Sequence, residues 1–400
     1  MDKSARIAYN EFYSASGNRF PGTMKGMIDS MKVGTVTENK KQEFRVGLTP
    51  NCVQAYTAAG HTVYVQAGAG LGAGYTDEAY AAKGAVLLPD AASVFDACDM
   101  VVKVKEPLPE EYPLLKKDRI LYTYLHLAAS RDLTDVLLHS GVKAVAFETI
   151  TDDRGALPCL RPMSEIAGRL SVQEGAKYLE KPFGGRGILL GGVPGVEKGK
   201  VVVLGGGIAG TNACRLALGM GAQVTVLDLN LDRLAYLDDL FDGRITTLYN
   251  TPGNLETALT GADLVIGAVL VAGASTPKVL KREHLRLLKP GAVIVDIAID
   301  QGGCCETSRV TYHDDPVYTV EGVVHYCVGN MPGAVPGTST AALANTTLPF
   351  GLMIADLGLE EACRRNPHLS AGVNIYRGAC TCENVAKSLA IPYTPLEQLL

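Results

Sequence analysis

The residues best able to do chemistry sit where apolar runs end. His126 lies near the end of ILYTYLHLA. An imidazole accepts or donates a proton near neutral pH, although the same ring could be a hydrogen-bonded core histidine. Asp300 closes the run AVIVDIAI and leads into QGG, with Asp296 inside the same run. An acid at a strand end beside a glycine turn is well placed to enter a cleft, and it also suits an Asx-type turn. Lys103 and Lys105 alternate with valines in VVKVKEP, so a strand there puts both on one face. One could meet a substrate carboxylate, or the pair could protect an exposed sheet edge. Arg45 follows KKQEF and reads by composition as a solvated charge.

The stretch VVVLGGGIAG suggests what such groups would work with. Gly205, Gly207 and Gly210 form GxGxxG after a four-residue apolar run, and a helical pattern begins at Ile208. A second run, QVTVLD, ends in Asp228. Strand, glycine turn, helix and acid in that order form a dinucleotide-binding pattern. Gly205 allows a sharp turn, Gly207 leaves room for a pyrophosphate, and Gly210 lets helix and strand pack closely. The amides opening the helix, at Ile208 and Ala209, present partial positive charge to phosphates. Asp228 can accept hydrogen bonds from ribose hydroxyls and repels a 2′-phosphate. No arginine follows it directly, Arg233 being five residues on, so NAD is favoured over NADP. The bland alternative is a tight turn that binds nothing. A bound nicotinamide implies hydride transfer, with the substrate groups elsewhere along the cleft.

These groups need a scaffold. From Met31 the chain alternates short apolar runs with helical patterns. Strands are expected at 32–36, 62–68, within 99–107, at 119–128 and at 143–147. Helices are expected at 50–59, 76–83 and 132–140. The alternation restarts with strands at 201–204, 223–228, 262–269 and 292–299, and a helix at 208–219. A helical pattern near 163–180 lies between, with Ser164 as a possible cap. The tail from about Thr338 reads helical and can return to the first unit. This is an α/β protein of two doubly wound, Rossmann-type domains with a cleft between them. The expected boundaries are 31–158 plus 337–400 for a substrate domain and 159–336 for the dinucleotide domain.

Composition excludes several classes. The chain has 400 residues and a net charge of −5, with no basic block for nucleic acid. Its ten cysteines show no CxxC or zinc spacing, so no metal is expected and a reducing, cytoplasmic setting is. His313 in YHDDP reads as a solvated turn, and Cys304–Cys305 as packing. GGRGILLGGVPGV reads as a tight hairpin. The longest uncharged segment, 322–355, is interrupted by Pro332, Pro336 and Pro349 and does not suit a membrane span. Residues 1–30 lack periodicity and read as a disordered extension or an early start, with a transit peptide the weaker choice.

From Met31 onward the chain resembles the alanine dehydrogenase and nicotinamide nucleotide transhydrogenase N-terminal family. The phrases carrying this are ENKKQEFRVGLTP, VKVKEP, HLAAS, PMSEIAGRL, GGRGILLGGVPGV, GGGIAG, VDIAIDQGG and NMPGAVPGTST. The first departs from the family's pattern: Thr35-Val36 replaces an apolar residue and proline, Gln42 replaces Asn and Gly47 replaces Ala. The resemblance implies NAD-dependent interconversion of L-alanine with pyruvate and ammonium, in a homo-hexamer. It implies that Arg45 and Lys105 hold the carboxylate, that His126 and Asp300 transfer protons, and that Tyr124, Met163 and Asn330 line the pocket. Ser164, Asp228 and the glycine turn would hold NAD. The rival readings are a saccharopine-type dehydrogenase, a soluble nucleotide-binding subunit of a proton-translocating transhydrogenase, and a noncatalytic NAD-binding protein.

Overall fold

The computed structural model describes residues 30–269 and 276–400. The expected extension, 1–30, lies outside the described residues except for Ser30. The described residues form two compact units, one of residues up to Pro162 with Val335–Leu400 and one within Met163–Ala334.

The first unit begins with six strands: β1 (Lys32–Thr35), β2 (Thr62–Gln66), β3 (Ala85–Leu88), β4 (Met100–Val102), β5 (Ile120–Thr123) and β6 (Lys143–Ala146). They are parallel and lie in the order β6-β5-β4-β1-β2-β3. Helix α1 (Pro50–Ala58) starts where Thr49 accepts a hydrogen bond from the Cys52 amide, a capped, proline-led start. Helix α2 (Arg131–Ser140) is capped by Ser130. The strands bury Val33, Val63, Val101 and Leu121, at 0–3% exposure. Burying such side chains contributes about 1.5–3 kcal/mol each.

The second unit holds β7 (Lys200–Leu204), β8 (Gln223–Asp228), β9 (Thr246–Tyr249), β10 (Leu264–Gly267), β11 (Val293–Asp296), β12 (Val317–Val320) and β13 (Val323–Tyr326). Their order is β12-β13-β11-β10-β7-β8-β9, and only β12 is antiparallel to its neighbour. Helix α3 (Arg161–Tyr178) leads into this unit, and α4 (Ile208–Gly219) follows the glycine turn. From Val335 the chain returns to the first unit through α5 (Pro336–Leu357) and adds β14 (Val373–Tyr376) antiparallel to β6, with β15 (Ala379–Cys380) at the edge. Among the described residues no single helix is long and apolar enough to cross a membrane.

Each sheet reverses its strand order once, between β1 and β4 in the first and between β7 and β10 in the second. Ligands of open α/β sheets collect beyond the strand carboxyl ends at such reversals. The loops after β1 and β4 carry Arg45 and Lys105, and the loop after β7 is the glycine turn.

Several expectations need correction. Strand β4 ends at Val102, and Lys103 lies beyond it, fully buried, so alternation along the strand does not govern the two lysines. The strand is internal, between β5 and β1, which removes the edge-protection reading. Ser164 lies inside α3 rather than capping it. Strand β11 stops at Asp296, and Asp300 sits in a 3-10 turn, Ile297–Gln301. These strands end where a charged side chain finds buried partners off the ladder.

Candidate active site

In the first unit the candidates gather around Tyr124. Its hydroxyl donates to the Cys159 carbonyl at 2.6 Å. Its ring stacks on that of His126, with centroids 5.8 Å apart and planes 8° from parallel. The Lys105 ammonium lies 6.0 Å from the same ring centroid. Burial pushes the Tyr124 phenol far above its ordinary value, and the nearby Arg45 charge opposes this only in part. The phenol is therefore neutral, a fixed wall.

Arg45 is 2% exposed, so the solvated-charge reading fails. Its Nε donates to Glu43 Oε1 at 2.6 Å and its Nη2 to Glu43 Oε2 at 2.5 Å. Burial works against the guanidinium's charge, and the Glu43 carboxylate more than offsets it. This is a bidentate, charge-assisted pair.

Lys105 is held through its backbone. Glu38 accepts from the Val104 amide at 2.6 Å and the Lys105 amide at 3.3 Å. Lys103 is the anchor below it, paired with Glu38 at 3.2 Å and Glu111 at 2.7 Å, all three side chains buried. Burial pushes the Glu38 carboxyl up, and Lys103 pulls it back in part.

His126 adopts left-handed backbone (φ 50°, ψ 38°). That conformation is uncommon without glycine. The Glu148 carboxylate holds it there, accepting from the His126 amide at 2.6 Å and the Leu125 amide at 3.1 Å. Sequence reasoning passed over Glu148, Glu38, Glu43 and Glu111. Glu148 lies two residues past the end of β6, so the strand-end rule used for Asp300 also finds it.

In the second unit Asp300 is exposed, and both its carboxylate oxygens lie 3.3 Å from the Asn330 amide nitrogen. Asn330 has positive φ, 58°. Met163 is buried in the first turn of α3.

The glycine turn has a nucleotide cradle's geometry. Gly205 has φ 96°, and a Cβ there would meet the Ala268 carbonyl at 2.7 Å. A Cβ at Gly210 would lie 1.8 Å from the Gly205 carbonyl oxygen, so α4 packs directly on the turn. A Cβ at Gly207 would meet nothing within 4 Å; it would enter the open space in front of the α4 N-terminus, beside the amides of Ile208 and Ala209. That is where a pyrophosphate fits. Gly168 of α3 lies against the same turn, with its absent Cβ 2.1 Å from the Ala209 carbonyl oxygen. Ser164, four residues earlier, shares that helix face. Asp228 accepts from the Gly206 amide at 2.6 Å and the Asn230 amide at 2.9 Å. Sequence distance made Arg233 look remote. It folds back on the turn, donating to the Gly206 carbonyl and to the Thr211 hydroxyl, each at 2.5 Å.

Among the described residues no group of three or more His, Cys, Asp or Glu is placed to hold a metal ion. His313 is half-buried, and Val193 and Val196 form a single antiparallel bridge in the GGVPGV turn.

Comparison with known proteins decides the lineage. Residues 34–167 match the model of the alanine dehydrogenase/PNT N-terminal domain, and 171–383 that of its C-terminal domain. The chain belongs to the alanine dehydrogenase/PNT family. An alanine dehydrogenase of Methanococcus maripaludis is 52% identical over 92% of this chain and 100% of its own. One from Mycobacterium tuberculosis H37Rv is 53% identical over 91% of this chain and 98% of its own. A solved L-alanine dehydrogenase superposes with a TM-score of 0.88 at 50% identity, covering 90% of this chain and 99% of that one. A Sinorhizobium meliloti transhydrogenase, 23% identical with a TM-score of 0.77 over 88% of this chain and 99% of its own, shares the fold. A nicotinamide cofactor accompanies membership in this family and its nucleotide-binding fold.

Proposed function

We propose that the protein is an L-alanine dehydrogenase, interconverting L-alanine, NAD and water with pyruvate, ammonium, NADH and a proton. The observation carrying this is the convergence of Arg45, Lys105 and His126 on Tyr124, in a chain half identical to alanine dehydrogenases along nearly all its length.

Glu43 holds Arg45 at Nε and Nη2 and fixes the guanidinium plane, and Arg45 is assigned to the substrate carboxylate. Lys105 adds a point charge. With the carboxylate fixed, the substrate Cα–H is oriented, and orientation supplies much of the rate. The bound nicotinamide supplies the hydride acceptor. The amine must first lose a proton, and loss of hydride from Cα then leaves an iminium ion. Water adds to that carbon, and the carbinolamine expels ammonia to give pyruvate. His126 and Asp300 carry the protons among amine, water and carbinolamine. The positive charge developing on nitrogen is stabilised by the ionised Asp300.

Asp228 at the end of β8 supports NAD rather than NADP. Arg233 does not reverse this, because its guanidinium donates inward to Gly206 and Thr211. Met163 and Asn330 are assigned to substrate binding, and Ser164 with Gly205, Gly207, Ile208, Ala209 and Gly210 to the dinucleotide.

The test is spectrophotometric. NADH is consumed only when pyruvate and ammonium are both present, and NADPH substitutes poorly. Turnover with 2-oxoglutarate and lysine instead would establish the saccharopine-type reading.

A further inference from the structure

Asp300 does not stand on a strand. It projects from a loop that leaves β11 at Asp296 and turns back through Gly302 and Gly303, at φ 90° and 76°. One buried carboxylate ties both arms of that loop. Asp296 is 0% exposed. Its Oδ1 accepts from the Ala298 amide at 3.2 Å, on the outgoing arm. Its Oδ2 accepts from the Cys304 amide at 2.9 Å, the Cys305 amide at 3.2 Å and the Ser308 hydroxyl at 2.6 Å, all on the returning arm. Both arms are thus tied to one side chain, with Asp300 between them. The fit is tight: a Cβ at Gly303 would sit 2.7 Å from Asp296 Oδ2.

The carbonyls of the same loop are gathered from the other side. The Lys278 ammonium receives no amide; it donates to the carbonyls of Gly302, Gly303 and Cys305, at 2.5, 2.9 and 3.2 Å. A buried carboxylate that collects N–H and O–H groups, facing an ammonium that collects carbonyls, polarises the turn and fixes it.

We infer that Asp296, through Ser308 and the amides of Cys304 and Cys305, is the positioning residue that sets where Asp300 presents its carboxylate. This rests on the reading of Asp300 as a proton-transfer group. A displacement of about 1 Å at such a group costs on the order of a hundredfold in rate. Asparagine cannot substitute at position 296, because its amide nitrogen would face donors with a donor.

The experiment compares Ser308→Ala, Ser308→Thr, Asp296→Asn and Asp300→Asn in pyruvate amination by the full-length enzyme, with NADH binding followed by fluorescence. Ser308→Ala lowers kcat by about tenfold, the scale of one lost hydrogen bond to a charged group, and leaves NADH affinity unchanged. Ser308→Thr keeps the hydroxyl and restores kcat. Asp296→Asn falls further, and if it does not fold, the Ser308 pair decides alone. If Asp300→Asn loses turnover while Ser308→Ala keeps wild-type kcat, the positioning role is overturned and the Asp300 reading stands. If Asp300→Asn itself turns over normally, that reading fails and this inference with it. Equal loss of kcat and NADH affinity without rescue by threonine marks general damage and overturns the inference.

Discussion

The Glu43 carboxylate grips the Arg45 guanidinium at Nε (2.6 Å) and Nη2 (2.5 Å), with both side chains at most 1% exposed. The pair orients the guanidinium before substrate arrives. Arg45→Lys keeps the charge but loses the planar fork. We expect the KM for pyruvate to rise about tenfold to a hundredfold, the range for a lost charged hydrogen bond, with kcat changed less. Glu43→Gln shifts KM in the same direction by a smaller factor. Steady-state kinetics with saturating NADH and ammonium check both, and an unchanged KM in Arg45→Lys contradicts the clamp.

The Thr35 hydroxyl donates to the Val102 carbonyl at 2.9 Å, and a Cβ at Gly47 would lie 2.3 Å from that same oxygen. Two of the three departures from the family's pattern therefore meet at one atom, at the base of the Lys103–Lys105 segment. Gly47→Ala should destabilise the fold by about 1–3 kcal/mol through overpacking. Thr35→Val together with Gly47→Ala should recover part of that, because the hydroxyl no longer draws the carbonyl inward. Denaturant unfolding of the three variants measures the coupling.

Much of the fold was legible because buried parallel strands write themselves as short apolar runs. QVTVLD coincides with β8, and the helix after the glycine turn spans Ile208–Gly219 as its pattern suggests. Strand β9, TTLY, is a partly exposed edge strand of mixed character, so no apolar run marks it, whereas β3, AVLL, is a short apolar run that lies partly exposed at the other sheet's edge. Lys103 was misplaced because a buried cation looks the same in sequence as an exposed one until Glu38 and Glu111 are found beside it. Arg45 was illegible for the same reason. Arg233 was discounted on sequence distance, although one turn of helix brings it back to Gly206.

Lys103 also carries a stability prediction. Lys103→Met removes the cation between two buried carboxylates, and breaking a buried ion pair costs about 3–5 kcal/mol. Thermal unfolding should show the loss. Because the change also releases Glu38 from the Lys105 amide, the KM for pyruvate should rise in whatever enzyme remains folded. Wild-type stability would contradict the anchor.

Coenzyme choice is assigned to Asp228. Asp228→Ser removes the charge that repels a 2′-phosphate. The ratio of kcat/KM for NADPH to that for NADH should rise by at least about tenfold, one charge interaction's worth. An unchanged ratio places discrimination elsewhere.

Burial pushes the His325 imidazole below its ordinary value of 6.5, and its bonds to Thr307 (2.8 Å) and the Val323 carbonyl (3.0 Å) keep it ordered. Between its folded value and 6.5 the unfolded chain binds more protons than the folded one. Stability therefore rises with pH across that window and is lost on acidification. Melting temperature should fall below about pH 6.5, and His325→Gln should flatten that slope. An unaltered slope in the variant would remove His325 from the acid response.

The central claim is that hydride passes directly from the substrate Cα to the nicotinamide while His126 and Asp300 handle only protons. Incubating the enzyme with L-[2-²H]alanine and NAD in ordinary water, then locating the label in the reduced coenzyme, tests it most directly. Deuterium is expected in the reduced nicotinamide in every turnover. Deuterium lost to solvent would contradict it, because the Cα hydrogen would then be leaving as a proton.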